Sequence, residues 1–294
     1  VGDSRHTLYY LIFSSIVNII LDLVFCGAFR LGVEYAALAT VISQMLSVVL
    51  CMIRLIRTQD VYQVSIREIR FDWPLLKQII HQGLPSGMQN SIISIANMVV
   101  QSNINSFGKM AMAGCGAYSK IEGFGFLPIT CFAMAMTTFI GQNLGAREFD
   151  RVKKGARFGI LCGVGLAEAV GIGINLFIPQ LIALFDRTPE VIQFGVTQAK
   201  IVTLFYFLLS FSHVIAGIMR GAGKSMVPML VMLISWCLIR ITYVTITIHF
   251  IPDIRVVFWA YPMTWTISSI IFLIYYKKAD WIHYFDRQEE KQCA

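Results

Sequence analysis

Long apolar windows recur along this chain, and they constrain its fold more than any other feature. Each is close to the about 20 residues that an α-helix needs to cross the hydrocarbon core of a bilayer. Their periodicity is helical, with no alternating strand pattern. The windows fall at 8–28, 35–53, 85–107, 121–140, 158–180, 199–219, 226–250 and 256–276. The sequence therefore predicts an all-α integral membrane protein with about eight transmembrane helices.

The composition supports this prediction. Hydrophobic residues make up 56% of the chain and charged residues 14%, and the mean hydropathy is +0.67. Soluble domains usually carry about 25% charged residues, so much of this apolar surface needs lipid as its solvent. The 7 cysteines are dispersed and form no CxxC motif, which predicts packing residues rather than a metal centre. We expect a monomer in the lipid bilayer that needs no cofactor.

The formal net charge of +7 is unevenly distributed among the predicted loops. If the spans alternate in direction, the loops on one side carry Arg54, Arg57, Arg67, Arg70, Lys77, Arg147, Arg151, Lys153, Lys154, Arg157, Arg220 and Lys224. The loops on the other side carry only Arg30, Lys109, Arg187 and Arg255. The positive-inside rule then predicts both termini in the cytoplasm, and we expect a multi-pass protein of the plasma membrane. Such basic loops suit anionic lipid, and we expect no nucleic-acid binding.

A charged, partly amphipathic segment at 57–82 divides the predicted spans into two groups, which is typical of an interfacial linker. Residues 1–56 would then hold the last two helices of an amino-terminal lobe. Residues 83–280 would form a complete six-helix carboxyl-terminal lobe, and 281–294 a cytoplasmic tail.

A weak internal repeat fits this division. The segment Val1–Ser4 resembles Gly221–Ser225, and Ala37–Thr40 lies opposite Ala260–Met263, at an offset of about 221 residues. The same shift from the second lobe places the expected beginning of the first lobe about 140 residues before Val1. We therefore expect the chain to be incomplete at its amino terminus, with four further helices upstream.

Asp22 is an acidic residue at membrane depth, where ionisable groups are functional hypotheses by default. Asn18 lies four residues before it, on the same helical face. Thr40 is expected at the same depth in the next, antiparallel span, about 8 to 9 Å below the outer boundary. One carboxylate, one amide and one hydroxyl suit H⁺ or Na⁺. We predict a cation-coupling site at these residues; the alternative is a structural Asp22 bonded to a neighbouring helix.

Other polar residues inside the predicted spans are candidate contacts of a substrate cavity. They are Gln89, Lys120, Glu122, Glu168 and Arg240. Lys120 and Glu122 form either a substrate contact or a neutralising pair near the interface. Glu168 faces a cavity or makes a hydrogen bond between helices. Arg240 needs an internal carboxylate or carbonyl partner, and the amide of Gln89 is structural or contacts a ligand.

Three motifs resemble those of MATE transporters, the multidrug and toxic compound extrusion family. They are Gly83-Leu84-Pro85, Gly141-Gln142-Asn143-Leu144-Gly145-Ala146 and Arg220-Gly221-Ala222-Gly223-Lys224-Ser225 with Pro228. Their order is similar to that in the second lobe of the family, and the set of Asn18, Asp22 and Thr40 looks like the amino-lobe cation site of prokaryotic members. The resemblance implies two six-helix lobes, alternating access, and export of small organic cations and other xenobiotics by H⁺ or Na⁺ antiport.

Two features depart from the family pattern and leave the coupling ion open. The first-helix Asp of the amino-lobe site would lie before Val1, and the seventh-helix carboxylate of some members has no counterpart in 86–106.

Two alternative functions remain. One is a lipid-linked oligosaccharide flippase of the same superfamily, which Arg240 and Lys120 would favour through a more cationic cavity. The other is a truncated membrane protein that does not transport. We expect no enzymatic activity, because no catalytic constellation of His, Cys or paired carboxylates occurs in the sequence.

Overall fold

A computed structural model describes residues 4–29, 32–60 and 62–282. Every regular element within these ranges is a helix, which confirms the predicted all-α class. Three parts of the sequence predictions lie outside the described residues. They are the repeat segment Val1-Gly2-Asp3, the loop residue Arg30 and residues 283–294 of the predicted tail.

The first of two compact units comprises Val1–Trp73 and contains a helical hairpin. Helix α1 covers Ser4–Asp22 and continues as a π-helical turn over Leu23–Ala28, and helix α2 covers Val33–Arg57. π-Helical turns often occur at functional sites, and this one begins directly after Asp22. A 3₁₀ turn at Ile66–Glu68 follows in the predicted linker.

The second unit comprises Pro74–Ala294. Its helices are α3 (Trp73–Asn105), α4 (Lys109–Gly145), α5 (Phe149–Ala183), α6 (Pro189–Val202), α7 (Tyr206–Gly221), α8 (Met226–Met232), α9 (Arg240–Phe250) and α10 (Ile254–Lys278). A 3₁₀ turn at Thr203–Phe205 joins α6 to α7, and a π-helical turn at Leu233–Ile239 joins α8 to α9. Each pair therefore forms one interrupted span. Because α3 already begins at Trp73, the last part of the predicted linker 57–82 is helical.

Within the described residues, 7 helical segments have the length and hydropathy of a membrane span. They are Arg5–Ala28, Glu34–Arg57, Lys109–Gly145, Phe149–Ala183, Pro189–Gly221, Met226–Phe250 and Ile254–Lys278. The remaining predicted window, 85–107, is helical within α3, but it falls outside this set. The amides and hydroxyls between Gln89 and Asn105 lower its hydropathy, which is typical of a helix that faces protein or a wet cavity.

Helix α4 packs against α5, α6 and α7. Small residues make these contacts close: a Cβ added at Gly217 of α7 would overlap the backbone carbonyl oxygen of Ala133 on α4. The Thr137 hydroxyl donates to the Gly217 carbonyl oxygen at 3.0 Å, at the same crossing. Close backbone approach through small residues is how helices associate in lipid. It fixes the position of the polar side chains that α4 carries.

Candidate functional site

The second unit contains a cavity of about 350 Å³, a volume within the range of small-molecule sites. Helices α3, α4, α7, α9 and α10 and the π-helical turn before α9 form its wall. The polar lining residues are Asn97, Gln101, Ser119, Glu122 and Arg240. The aromatic lining residues are Phe126, Trp236, Tyr261 and Trp265. Of the predicted cavity residues, the structure therefore brings Glu122 and Arg240 together.

Arg240 is only 1% exposed, and hydrogen bonds and two aromatic rings hold its guanidinium. Nη2 and Nε donate to Thr264 Oγ1 at 2.9 and 3.3 Å, and Nη1 donates to Asn97 Oδ1 at 3.3 Å. The guanidinium carbon lies 5.1 Å from the ring centroid of Trp236 and 4.8 Å from that of Tyr261. Hydrogen bonds and cation–π contacts compensate for the cost of a charge at this depth.

Glu122 is half-buried on α4 and is the acidic residue of the cavity wall. Its electrostatic neighbours are Arg240 and the Tyr118 hydroxyl. That hydroxyl lies 3.1 Å from the hydroxyl of Tyr206, and both tyrosines are buried. Glu122 and Arg240 are the charged residues of the described cavity wall, so the formal charge of this wall is zero.

Lys120 lies outside the cavity wall and is exposed. Residues two apart on a helix point to different faces, so Lys120 and Glu122 do not share a side of α4. The structure thus gives Glu122 a different electrostatic partner, Arg240, from the one that sequence proximity suggested.

Gln89 is also outside the cavity wall, although it is only 2% exposed. Its Oε1 accepts a hydrogen bond from Arg220 Nη1 at 3.2 Å. Two turns earlier on α3, Gln82 accepts from the Ser225 hydroxyl at 2.6 Å and donates to the Gly223 carbonyl oxygen. The amides of this part of α3 therefore bind the Arg220–Ser225 motif, which forms the end of α7 and the turn before α8.

Glu168, a residue of α5, contacts the break between α6 and α7. Its Oε2 accepts a hydrogen bond from the backbone N–H of Phe207 at 3.1 Å, in the first turn of α7. The first N–H groups of a helix have no partner within the helix, and a carboxylate there is favourable. Nearby, Asn175 Nδ2 donates to Thr203 Oγ1 at 2.9 Å. Of the two roles that the sequence left open, these contacts favour the hydrogen bond between helices.

This capping contact makes a specific prediction for Glu168. Replacing it with leucine should destabilise the protein by about 1 kcal/mol, the usual effect of losing a helix cap. Glu168→Gln keeps an acceptor oxygen and should retain most of the thermal stability measured by unfolding in detergent. Ala169→Leu, which adds leucine at the neighbouring exposed position, is the control. Equal losses in the Leu and Gln variants would show that the charge of Glu168, and not its capping contact, is what matters.

In the first unit, polar contacts join α1 and α2 at two levels. The Ser14 hydroxyl donates to the Ser43 carbonyl oxygen at 2.9 Å, and Asn18 Nδ2 makes a long hydrogen bond of 3.5 Å to Thr40 Oγ1. One turn after Asn18, Asp22 Oδ1 is buried without a hydrogen-bond partner among the described residues. Buried polar atoms are nearly always satisfied. This carboxylate oxygen is therefore an acceptor that fits a bound proton or cation.

The hairpin of α8, α9 and α10 in the second unit has a similar pattern of polar contacts. Trp236 and Arg240 are four residues apart, like Ser14 and Asn18 in the first hairpin. Trp236 Nε1 donates to Ser268 Oγ at 3.2 Å, and Arg240 donates to Thr264.

By this pattern, Arg240 occupies the position in the second hairpin that Asn18 occupies in the first hairpin. One turn further on, the second hairpin has buried Val244 where the first has Asp22. The second hairpin therefore carries a permanent positive charge in its polar cluster and no carboxylate at the level of Asp22.

Sequence reasoning missed Asn97, Thr264 and Trp236 as partners of Arg240. Two signals are visible in retrospect. Asn97 and Gln101 are four residues apart in α3 and so share one face, and Trp236 precedes Arg240 by the same spacing. Nothing local in the sequence marks Thr264, because it lies on a different helix.

Membrane-spanning helices that surround a cavity with internal charged residues define a class: this is a multi-pass membrane protein with the polar interior that is typical of transporters. The comparison with protein families agrees. The family MatE matches residues 85–246, which is more than half of the chain. The protein belongs to the MATE family, whose members are transporters and not enzymes, and this confirms the resemblance of its motifs.

Similar proteins carry related names. The chain is 26% identical over 284 residues to the probable multidrug resistance protein YoeA of Bacillus subtilis, covering 94% of this chain and 61% of that protein. It is 27% identical over 239 residues to the probable multidrug resistance protein NorM of Thermotoga maritima, covering 80% and 51%. A FAD transporter of Shewanella oneidensis is 27% identical over 199 residues, with 65% and 43% coverage. The chain thus spans at most about three fifths of the length of these relatives.

Solved structures show the same fold. A crystal structure of MATE in complex with MaL6 superposes with a TM-score of 0.85 at 22% identity, covering 94% of this chain and 63% of the other. A transporter of the MOP superfamily from Pyrococcus furiosus gives a TM-score of 0.86 at 22% identity, with 94% and 62% coverage. The all-α membrane architecture is therefore that of MATE transporters.

Proposed function

We propose that this chain belongs to a secondary active transporter that exports small organic cations and drugs in exchange for H⁺ or Na⁺ by alternating access. Family membership and the names of its relatives support drug efflux. The observation that carries the proposed coupling is the unpartnered, buried Oδ1 of Asp22 beside the Asn18–Thr40 contact. The uneven distribution of basic loops supports an orientation with both termini in the cytoplasm, and a plasma-membrane location is part of the proposal.

The first hairpin offers a carboxylate, an amide oxygen and a hydroxyl to a coupling ion. Binding of H⁺ or Na⁺ would neutralise the charge of Asp22. Its carboxyl group would then no longer need water or a further polar partner at membrane depth. The π-helical turn Leu23–Ala28 begins at the next residue, and such turns are points where a helix changes its bend. Cation binding would thus favour one of two arrangements of the hairpin, and differential affinity for these arrangements is what shifts a conformational equilibrium.

The cavity of the second unit supports a drug-type substrate. Its aromatic rings suit flat organic molecules, and Glu122 offers a negative charge. The alternative of an oligosaccharide flippase would favour a strongly cationic cavity. This wall has one positive and one negative residue, and Lys120 lies outside it, so the drug transporter is the better supported of the two.

Replacing Asp22 with asparagine in the complete protein tests the coupling. In proteoliposomes, we expect ethidium efflux driven by a proton or sodium gradient to fall by about tenfold or more, since one binding group of the ion is lost and this is worth at least about 1.4 kcal/mol. Imposing the two gradients separately identifies the ion. Glu34→Gln, which removes an exposed acid at the start of α2, should leave efflux unchanged. Unchanged coupling in Asp22→Asn would remove this residue from the mechanism.

A further inference from the structure

We infer that the lipid-facing side of the second unit binds a single-chain alkylamine from the bilayer. Its ammonium group contacts Glu168, and its chain lies in an apolar groove between α5, α7 and α10. The groove shares no lining residue with the cavity around Glu122 and Arg240. Binding at this groove is therefore independent of the proposed transport function.

The groove has a volume of about 290 Å³, and its surface is apolar. Its apolar lining residues are Val164 of α5, Phe207, Leu208 and Phe211 of α7, and Ile270 and Leu273 of α10. The two hydroxyl residues of the lining, Thr266 and Ser269, bond within the protein. Thr266 Oγ1 donates to the Pro262 carbonyl oxygen at 2.8 Å, and Ser269 Oγ to the Leu208 carbonyl oxygen at 3.1 Å. The groove thus suits an alkyl chain.

Exposed apolar side chains border the groove. Ile270 and Leu273 of α10 are exposed, and so are Leu161 and Ile172 of α5. All four lie within segments that have the length and hydropathy of a membrane span. Lipid tails are as apolar as leucine side chains and solvate such surfaces. The groove therefore opens to lipid, and its ligand would enter from the bilayer.

Glu168 lies at one end of the groove. Val164 is one turn before it on the same face of α5. The Phe207 N–H, which Glu168 Oε2 accepts at 3.1 Å, belongs to a residue of the groove lining. Because successive spans alternate in direction, α7 and α10 run opposite to α5. The lining residues Phe211 and Leu273 therefore extend the groove in the same direction from Glu168 as Val164 does.

The carboxylate of Glu168 has room for a cationic partner. Within the described residues, its Oε1 has no hydrogen-bond partner, and no basic side chain of this part of the chain is among its electrostatic neighbours. An acidic group at membrane depth is costly without a partner. A primary ammonium carries three N–H donors and the opposite charge. A phospholipid acyl chain would fill the groove but would leave this carboxylate without a countercharge.

Two photoreactive probes test the inference on the complete protein in phosphatidylcholine nanodiscs at neutral pH. One is a decylamine and the other a decanol, and both carry the same diazirine in the middle of the chain. Mass spectrometry locates the labelled peptides of α5, α7 and α10. At equal probe concentration in the lipid, we expect the amine to label the groove about tenfold more than the alcohol, which corresponds to one charge-assisted contact.

Four variants locate the contact. Glu168→Gln removes the charge and keeps a capping oxygen, so amine labelling should fall to the level of the alcohol while alcohol labelling stays unchanged. Val164→Trp fills the groove and should reduce labelling by both probes. Leu161→Trp makes a similar change at an exposed position outside the groove lining and should reduce neither. Glu122→Gln removes the acid of the other cavity and should leave amine labelling of the groove unchanged.

Three outcomes would overturn the inference. Equal labelling of the wild type by amine and alcohol would mean that the groove accepts any alkyl chain, such as a phospholipid acyl chain. Amine labelling that persists in Glu168→Gln would remove this carboxylate from the site. Amine labelling that falls in Glu122→Gln would place the ligand in the other cavity. Unchanged alcohol labelling in Glu168→Gln shows that the groove itself is intact, and loss of coupled efflux in Asp22→Asn is independent of all these results.

Discussion

The Gly217→Ala variant is expected to lose about 3 kcal/mol of stability, the upper range for overpacking a tightly packed site. The new Cβ would overlap the carbonyl oxygen of Ala133. This oxygen belongs to the backbone of α4, so it cannot rotate away as a flexible side chain could. Helices α4 and α7 must move apart instead. That movement would also strain the hydrogen bond of 3.0 Å from the Thr137 hydroxyl to the Gly217 carbonyl.

A second glycine provides the control for this variant. A Cβ added at Gly165 on α5 would meet no atom within 4 Å. Alanine is favoured over glycine inside helices by about 1 kcal/mol, so Gly165→Ala should be neutral or slightly stabilising. Both variants are compared by thermal unfolding of the detergent-purified protein. Similar midpoints of thermal unfolding for the two variants would mean that the packing of α4 against α7 does not require the close approach at Gly217.

The helices were predictable because their signal is local. Apolar windows of membrane length repeat in the sequence, and seven of them coincide with helical segments of sufficient hydropathy. The interruption between α6 and α7 was not predictable. Glu168 of α5 accepts a hydrogen bond there from the N–H of Phe207, and no pattern within 199–219 indicates that contact.

The sequence predicted that the buried charged side chains of the site need partners, but it did not identify the residues that provide them. A buried arginine needs acceptors, and sequence reasoning could state this for Arg240. The acceptors are Asn97 and Thr264, on α3 and α10, and only the packing of the bundle identifies them. Sequence proximity misled in one place, because Lys120 is near Glu122 along the chain but on another face of α4.

In the first hairpin, local residue spacing was enough to predict the arrangement of the polar side chains. Helical periodicity places Asn18 and Asp22 on one face, and the antiparallel hairpin brings Thr40 to Asn18. These contacts follow from rise per residue and direction alone. The chemical role of Asp22 does not follow from geometry, since an unpartnered oxygen is compatible with a proton or with Na⁺. It stays a prediction that the efflux measurements decide.

Removing the side chain of Arg240 should have the largest effect on stability of all the changes considered. Arg240→Ala leaves the negative charge of Glu122 without its partner and removes the donors to Thr264 and Asn97. The lost hydrogen bonds and the cavity left by a large buried side chain together cost about 3–5 kcal/mol. Lys120→Ala removes an equal charge from an exposed position on α4 and should change the midpoint of thermal unfolding very little.

A second substitution shows whether the stranded charge causes this loss. In the double variant with Arg240→Met and Glu122→Leu, both charges are replaced by apolar side chains. Replacing a whole buried pair is often neutral or stabilising, so the double variant should be more stable than Arg240→Met alone. If instead the losses of the two single variants simply add, the two residues are not coupled.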